Sequence, residues 1–124
     1  MVERGFDRTL SLFQEAAASA GPGGDVWTAM GMAYVVMLAD RTALLGQLHT
    51  YAACDDPAVR ELCQRKFGEL YEWLERLPGG TPDRVNAFVA RGMLLNVSAA
   101  MDLPALAASQ RWAAHCLCPP ADLG

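Results

Sequence analysis

Helix breakers partition this chain so firmly that only one class of fold fits between them. Gly21-Pro22-Gly23-Gly24, Asp56-Pro57 and Pro78-Gly79-Gly80-Thr81-Pro82 place glycine and proline where no helix interior continues. Between these points apolar residues recur at three- and four-residue steps. Val2, Phe6, Leu10, Phe13 and Ala17 predict a helix over residues 2–20. Asp25 can cap a second over residues 26–38, where only Thr28 interrupts an apolar or small run, the pattern of a helix covered on most sides with Met32 and Val36 facing other helices. Asp40 offers a cap for a third over about residues 42–53. Asp56-Pro57 and Thr81-Pro82 each pair a capping side chain with a proline whose missing N–H costs nothing at the first helical position. They start a fourth helix reaching about residue 77 and a fifth reaching about residue 103.

No stretch alternates with a period of two, so the class is all-α: a five- to six-helix bundle. The short loop after residue 77 folds helices four and five into an antiparallel hairpin. A chain of 124 residues holds a single core, assigned here to residues 1–104, with residues 105–124 as a weakly helical tail whose Cys118-Pro119-Pro120 end frays.

Composition narrows the function. With 52% hydrophobic and 19% charged residues the chain is too apolar for disorder. No uncharged run reaches the roughly 18 residues of a membrane helix, and no basic cap with an apolar block opens the sequence. The expectation is a cytoplasmic protein with no membrane partner. A net charge of -4 and one lysine, Lys66, argue against a nucleic-acid surface, which needs clustered cations.

Helix four carries Val59, Cys63, Phe67, Leu70, Leu74 and Leu77 as one seam suited to antiparallel packing, with the pairs Glu61–Arg65 and Glu72–Arg76 on the wet side. Helix five is unusual. Arg84, Arg91, Ser98 and Asp102 form one narrow polar stripe, and every other direction is apolar or small. Phe88 and Leu95 can meet the core, while Gly92, Asn96, Ala99 and Ala100 leave a shallow groove. Glycine in a helix interior costs about 0.5 to 1 kcal/mol relative to alanine, so close packing or ligand room must offset it. That groove fits either a second subunit's helix or a large side chain of the same chain.

The segment MGMAYVVMLADRTALLGQLHTYAACDDPAVRELCQRKFGELYEWLERL followed by RVNAFVARGMLLNVSAAMDLP resembles the C-terminal regulatory domain of TetR-family transcriptional repressors, a likeness covering about residues 2–104. It implies a homodimer in which the last two long helices pair with those of a second subunit in a four-helix bundle. The interface residues it implies are Phe67, Leu70, Leu74, Phe88, Gly92, Leu95, Asn96 and Ala99. It also implies a pocket for a small hydrophobic effector, whose binding moves the first helix and so the spacing of two DNA-binding heads. The helix-turn-helix domain of that family has no counterpart in these residues, so this segment is expected to bind no nucleic acid itself and to be cut from a longer protein.

For the pocket, Trp27, Met30, Tyr34 and Met37 share a face of helix two, joined by His49 and Tyr51 on helix three, Phe67 and Tyr71 on helix four, and Met93 and Asn96 on helix five. Aromatic and thioether groups around a few polar tips suit a medium-sized, mostly apolar ligand; one by one, the same residues equally suit a filled core. The alternative function is a helical interaction or scaffolding module with a solid core. His115-Cys116-Leu117-Cys118 offers metal-type donors without a C-x-x-C pair, so Cys116 and Cys118 read as exposed thiols and no cofactor or metal is expected. With two histidines and no nucleophile or zinc motif, the chain is not expected to be an enzyme.

Overall fold

Every capping residue picked out above performs that task. The computed structural model describes residues 2–117; the side chains of Val2 and Leu117 and all of residues 1 and 118–124 lie outside what is described, Cys118 among them. Asp25 accepts hydrogen bonds from the backbone N–H groups of Trp27 (3.0 Å) and Thr28 (3.3 Å), starting α2, Val26–Met37. Asp40 accepts from Ala43 N (3.1 Å) at the head of α3, Arg41–Ala52, and Asp56 from Ala58 N (2.9 Å) at the head of α4, Pro57–Glu75. The Thr81 hydroxyl accepts from Arg84 N (3.2 Å) to open α5, Pro82–Ala100. Each such cap is worth about 1 kcal/mol, which fixes these boundaries. The first helix, α1, runs Val2–Ala20, and there is no strand among the described residues.

Gly79, at φ +75°, supplies the left-handed turn that ends the α4 segment and lets α5 fold back along it. That loop is also tied from the side, because the Trp27 indole donates to the Pro78 carbonyl at 2.9 Å. Past α5, Asp102 at φ +54° turns the chain into a short 3-10 turn, Leu103–Ala105, and then α6, Arg111–Leu117. Leu103 and Ala113 are buried and α6 packs on α5 and on the 3-10 turn, so the tail as far as Leu117 is part of the packed body rather than an appendage.

The core joins Phe13 of α1, Trp27, Met30 and Tyr34 of α2, Leu74 of α4, and Val85 and Leu95 of α5. Three edge-on or tilted aromatic contacts knit it: Phe13–Tyr34, Phe13–Phe88 and Trp27–Phe88, with ring centroids 5.7, 5.4 and 5.4 Å apart. The α4 seam turns inward as its spacing requires, with Cys63 and Leu74 buried. Its wet-side pairs do not close: Arg65 reaches Glu3 of α1 (3.6 Å), and Lys66 bridges Asp7 of α1 (2.9 Å) and its own helix's Glu69 (3.5 Å).

Two facings differ from expectation. α2 is not covered on most sides: Met32 is 67% and Val36 76% exposed, and Val35 is exposed too. On α5 three of the four residues of the narrow polar stripe turn inward, with Ser98 fully buried and Arg84 and Arg91 half-buried, while Asp102 is exposed and Leu94, Val97 and Met101 form the outer, exposed line. A helix apolar in nearly every direction has no preferred vector, so neighbours rather than pattern decide which side is buried. No single helix among the described residues is long and apolar enough to cross a membrane.

Candidate ligand-binding site

The helices do not close on one another completely. Between them lies a cavity of about 330 Å³. α1 contributes Phe6, Thr9 and Phe13, one side of the helix at steps of three and four. α2 contributes Trp27 and Tyr34, and α3 adds Gln47 and Tyr51, whose side chains hydrogen-bond to each other at 3.0 Å. α4 supplies Phe67 and Leu70; α5 supplies Phe88, Gly92 and Met93. The exposed side chains of Met32 and Val35 are also on the wall, so the cavity opens to solvent beside α2.

Gly92 explains part of the space. A Cβ added there would meet only Tyr34 Cε2, at 3.8 Å, so the missing side chain leaves room rather than relieving a clash. The groove of Gly92, Asn96, Ala99 and Ala100 is occupied by the chain's own α2 and α3. Tyr34 lies against Gly92 and hydrogen-bonds Asn96, and Arg41 donates to the carbonyls of Ala99 (3.1 Å) and Ala100 (2.9 Å), satisfying the C-terminal end of α5.

Of the residues expected to bind ligand, Trp27, Tyr34, Phe67 and Met93 line the cavity. Asn96 supports it from behind: fully buried, it accepts from the Tyr34 hydroxyl and contacts Met93 Sδ through Nδ2 at 3.7 Å. Met30 does not line it, being wholly enclosed in the core, and Met37 faces a separate shallow groove with Arg8 and Asp40. His49 is exposed and away from the lining, and Tyr71 stacks on Phe67 (5.5 Å) while its hydroxyl bonds Asn86 (3.2 Å).

Of the expected interface residues, Phe67, Leu70, Phe88, Gly92 and Leu95 line the cavity, Leu74 and Asn96 are 0% exposed, and Ala99 lies under Arg41. None of the eight forms an outward face, because each is already packed within its own chain.

Most polar groups on the wall have partners inside the protein. Thr9 Oγ1 donates to the Gly5 carbonyl (3.1 Å), Thr28 Oγ1 to Asp25 (2.6 Å), and Tyr34 to Asn96. Burial pushes the Tyr34 hydroxyl up to about 12, so the group stays neutral, and burial raises Tyr51 as well. Arg91 is the exception: it lines the cavity, and its Nε and Nη2 are shielded from solvent without a hydrogen-bond partner among the described residues. The sequence signal for it is the polar stripe on α5; Phe6 and Phe13 are visible only as part of the apolar face of helix one, and Thr9 carries no signal.

No family model, curated protein or solved structure matches this chain. Among the described residues no group of three or more His, Cys, Asp or Glu side chains gathers to hold a metal; Cys118 lies outside them.

Proposed function

We propose that this chain is the effector-sensing, self-associating regulatory domain of a TetR-type transcriptional regulator, which admits a small, mostly apolar ligand between its helices. The observation that carries this reading is the cavity of about 330 Å³ with walls from α1 to α5. A module that needed only a solid core has no use for a solvent-reached opening walled by all five long helices. Aromatic walls and a few fixed polar groups are the make-up of a site for a small organic molecule. The acidic balance, a net charge of -4, favours sensing over contact with phosphate.

Self-association rests on a different part of α5 from the groove first expected. Leu94, Val97 and Met101, at steps of three and four, remain exposed after the chain has packed every other side of that helix. Two copies would pair these α5 lines with each other, through residues other than those the family resemblance implies. Ligand in the cavity touches Phe6 and Phe13, so α1 is the element whose position an effector would bias, through different affinities for two arrangements.

Thermal unfolding against a panel of hydrophobic compounds tests the reading. A ligand at a hundred times its Kd adds about 2.7 kcal/mol, so the midpoint should climb with concentration for at least one chemical class. A flat response across the panel would favour the solid interaction module instead.

A further inference from the structure

The polar groups of the cavity wall differ in what they have left to give. Thr9, Trp27, Thr28 and Tyr34 each spend their one side-chain proton on an oxygen of the protein. Tyr51 does not. Its hydroxyl accepts from Gln47 Nε2 at 3.0 Å, and its own proton has no acceptor among the described residues. Gln47 Oε1 likewise receives no hydrogen bond there, and it is not among the unpartnered side-chain atoms sealed from solvent, which belong to Arg84, Arg91 and Ser98. The Gln47 oxygen is therefore open to a guest, whereas Arg91 Nε and Nη2 are not.

The position of this pair follows from its neighbours. The Gln47 amide acts on the Tyr34 hydroxyl as well as on Tyr51, so it sits between two side chains that both line the cavity. The Tyr51 ring stands edge-on to Phe6 of α1, with centroids 6.1 Å apart, and to Phe67 of α4, at 6.5 Å. One donor and one acceptor thus stand side by side at the end of an aromatic chamber. A carboxylate can only accept, and would turn its charge on the Gln47 oxygen; an ammonium can only donate, and would face the Tyr51 proton. A hydroxyl answers both.

Resting on the cavity reading above, we infer that the ligand is an uncharged hydroxylated ring compound, whose OH accepts from the Tyr51 hydroxyl and donates to Gln47 Oε1 while its apolar body lies against Phe6, Phe13, Phe67 and Phe88. A volume of about 330 Å³ is at the small end of the roughly 300 to 1,000 Å³ of ligand pockets, which suits a body of one or two rings.

Three probes on one two-ring body separate the hydrogen-bonding roles: 2-naphthol, which donates and accepts, 2-methoxynaphthalene, which only accepts, and the anion 2-naphthoate. Titrated calorimetrically into the purified chain at neutral pH, 2-naphthol should bind about five- to fiftyfold tighter than 2-methoxynaphthalene, because the ether strands the Gln47 oxygen, and 2-naphthoate weakest. Q47M should abolish the preference of naphthol over its ether. Y51F should weaken both by a similar factor, about three- to tenfold, and keep their ratio, since each accepts from Tyr51. Far-ultraviolet circular dichroism checks that the variants fold. The ether binding as tightly as naphthol to the unaltered chain, or Q47M keeping the preference, would overturn the hydroxyl assignment and leave the cavity standing. Naphthoate binding tightest would overturn it in favour of an acid. If none of the three binds, the assignment falls; it falls alone when the wider thermal panel finds another ligand, and together with the cavity reading when that panel is flat.

Discussion

The Tyr34 hydroxyl donates a hydrogen bond to Asn96 Oδ1 in the interior, joining α2 to α5 across 62 positions of sequence. Asn96 is 0% exposed, so removing the donor leaves a carbonyl oxygen buried without water. Y34F should therefore cost about 1 to 3 kcal/mol in urea unfolding, a penalty set by the stranded acceptor more than by the lost bond.

The same tyrosine gives stability a pH edge. Its hydroxyl is pushed up to about 12 from an ordinary 10.0, chiefly by burial. Between those values the unfolded chain loses this proton and the folded one keeps it, so the contribution is complete below pH 10 and disappears as pH rises towards 12. Absorbance titration near 295 nm should show Tyr34 and Tyr51 ionising late, and Y34F should remove the Tyr34 part of that delay.

Gly92 is the point where a small change has opposite effects on fold and function. With 3.8 Å to its nearest neighbour, an added methyl fits without displacement. G92A should stabilise the chain by about 0.5 to 1 kcal/mol through helix propensity alone. G92L should extend into the cavity and abolish ligand binding without altering the oligomeric state, as thermal shift and light scattering would show.

The outer line of α5 carries the oligomerisation proposal. Glutamate at Val97, with Leu94 and Met101 on either side, places charge at the centre of the exposed apolar line. V97E should reduce the light-scattering mass from two chains to one and leave the circular dichroism spectrum unchanged. A native dimer that survives V97E unaltered would move the contact to another surface, such as Met32 and Val36 of α2.

Cys63 is buried on α4, and desolvation raises its thiol, with the Cys54 thiol beside it adding to the effect. Thiolate is the reactive form, so iodoacetamide at pH 8 should label Cys54 and Cys116, both half-buried, ahead of Cys63. Peptide mass spectrometry before and after denaturation reads the order.

Helix limits were visible in the sequence because they depend on local chemistry: Asp25, Asp40, Asp56 and Thr81 cap as their spacing foretells. Facing was visible only where a helix has a contrasting side, as on α4. Helix α5 lacks that contrast, so the groove around Asn96 could not be assigned to Tyr34 rather than to a second copy. On α2 the stripe of Trp27, Met30, Tyr34 and Met37 was correct as a face, but it spans the boundary between cavity and solid core: Met30 fell on the packed side and Met37 beyond the far edge. Arg91 was hidden for a similar reason, since an arginine on a stripe with Arg84 has the spacing of a surface residue whether or not it is one.

Trp27 gives the protein an optical handle of its own. Its ring forms part of the cavity wall, its face meets the Arg84 cation, and its indole N–H is bound to the loop between α4 and α5. Indole emission responds to local polarity and to nearby charge, so a guest entering beside this residue must alter its colour or brightness. Occupancy can thus be followed by intrinsic fluorescence, without any label.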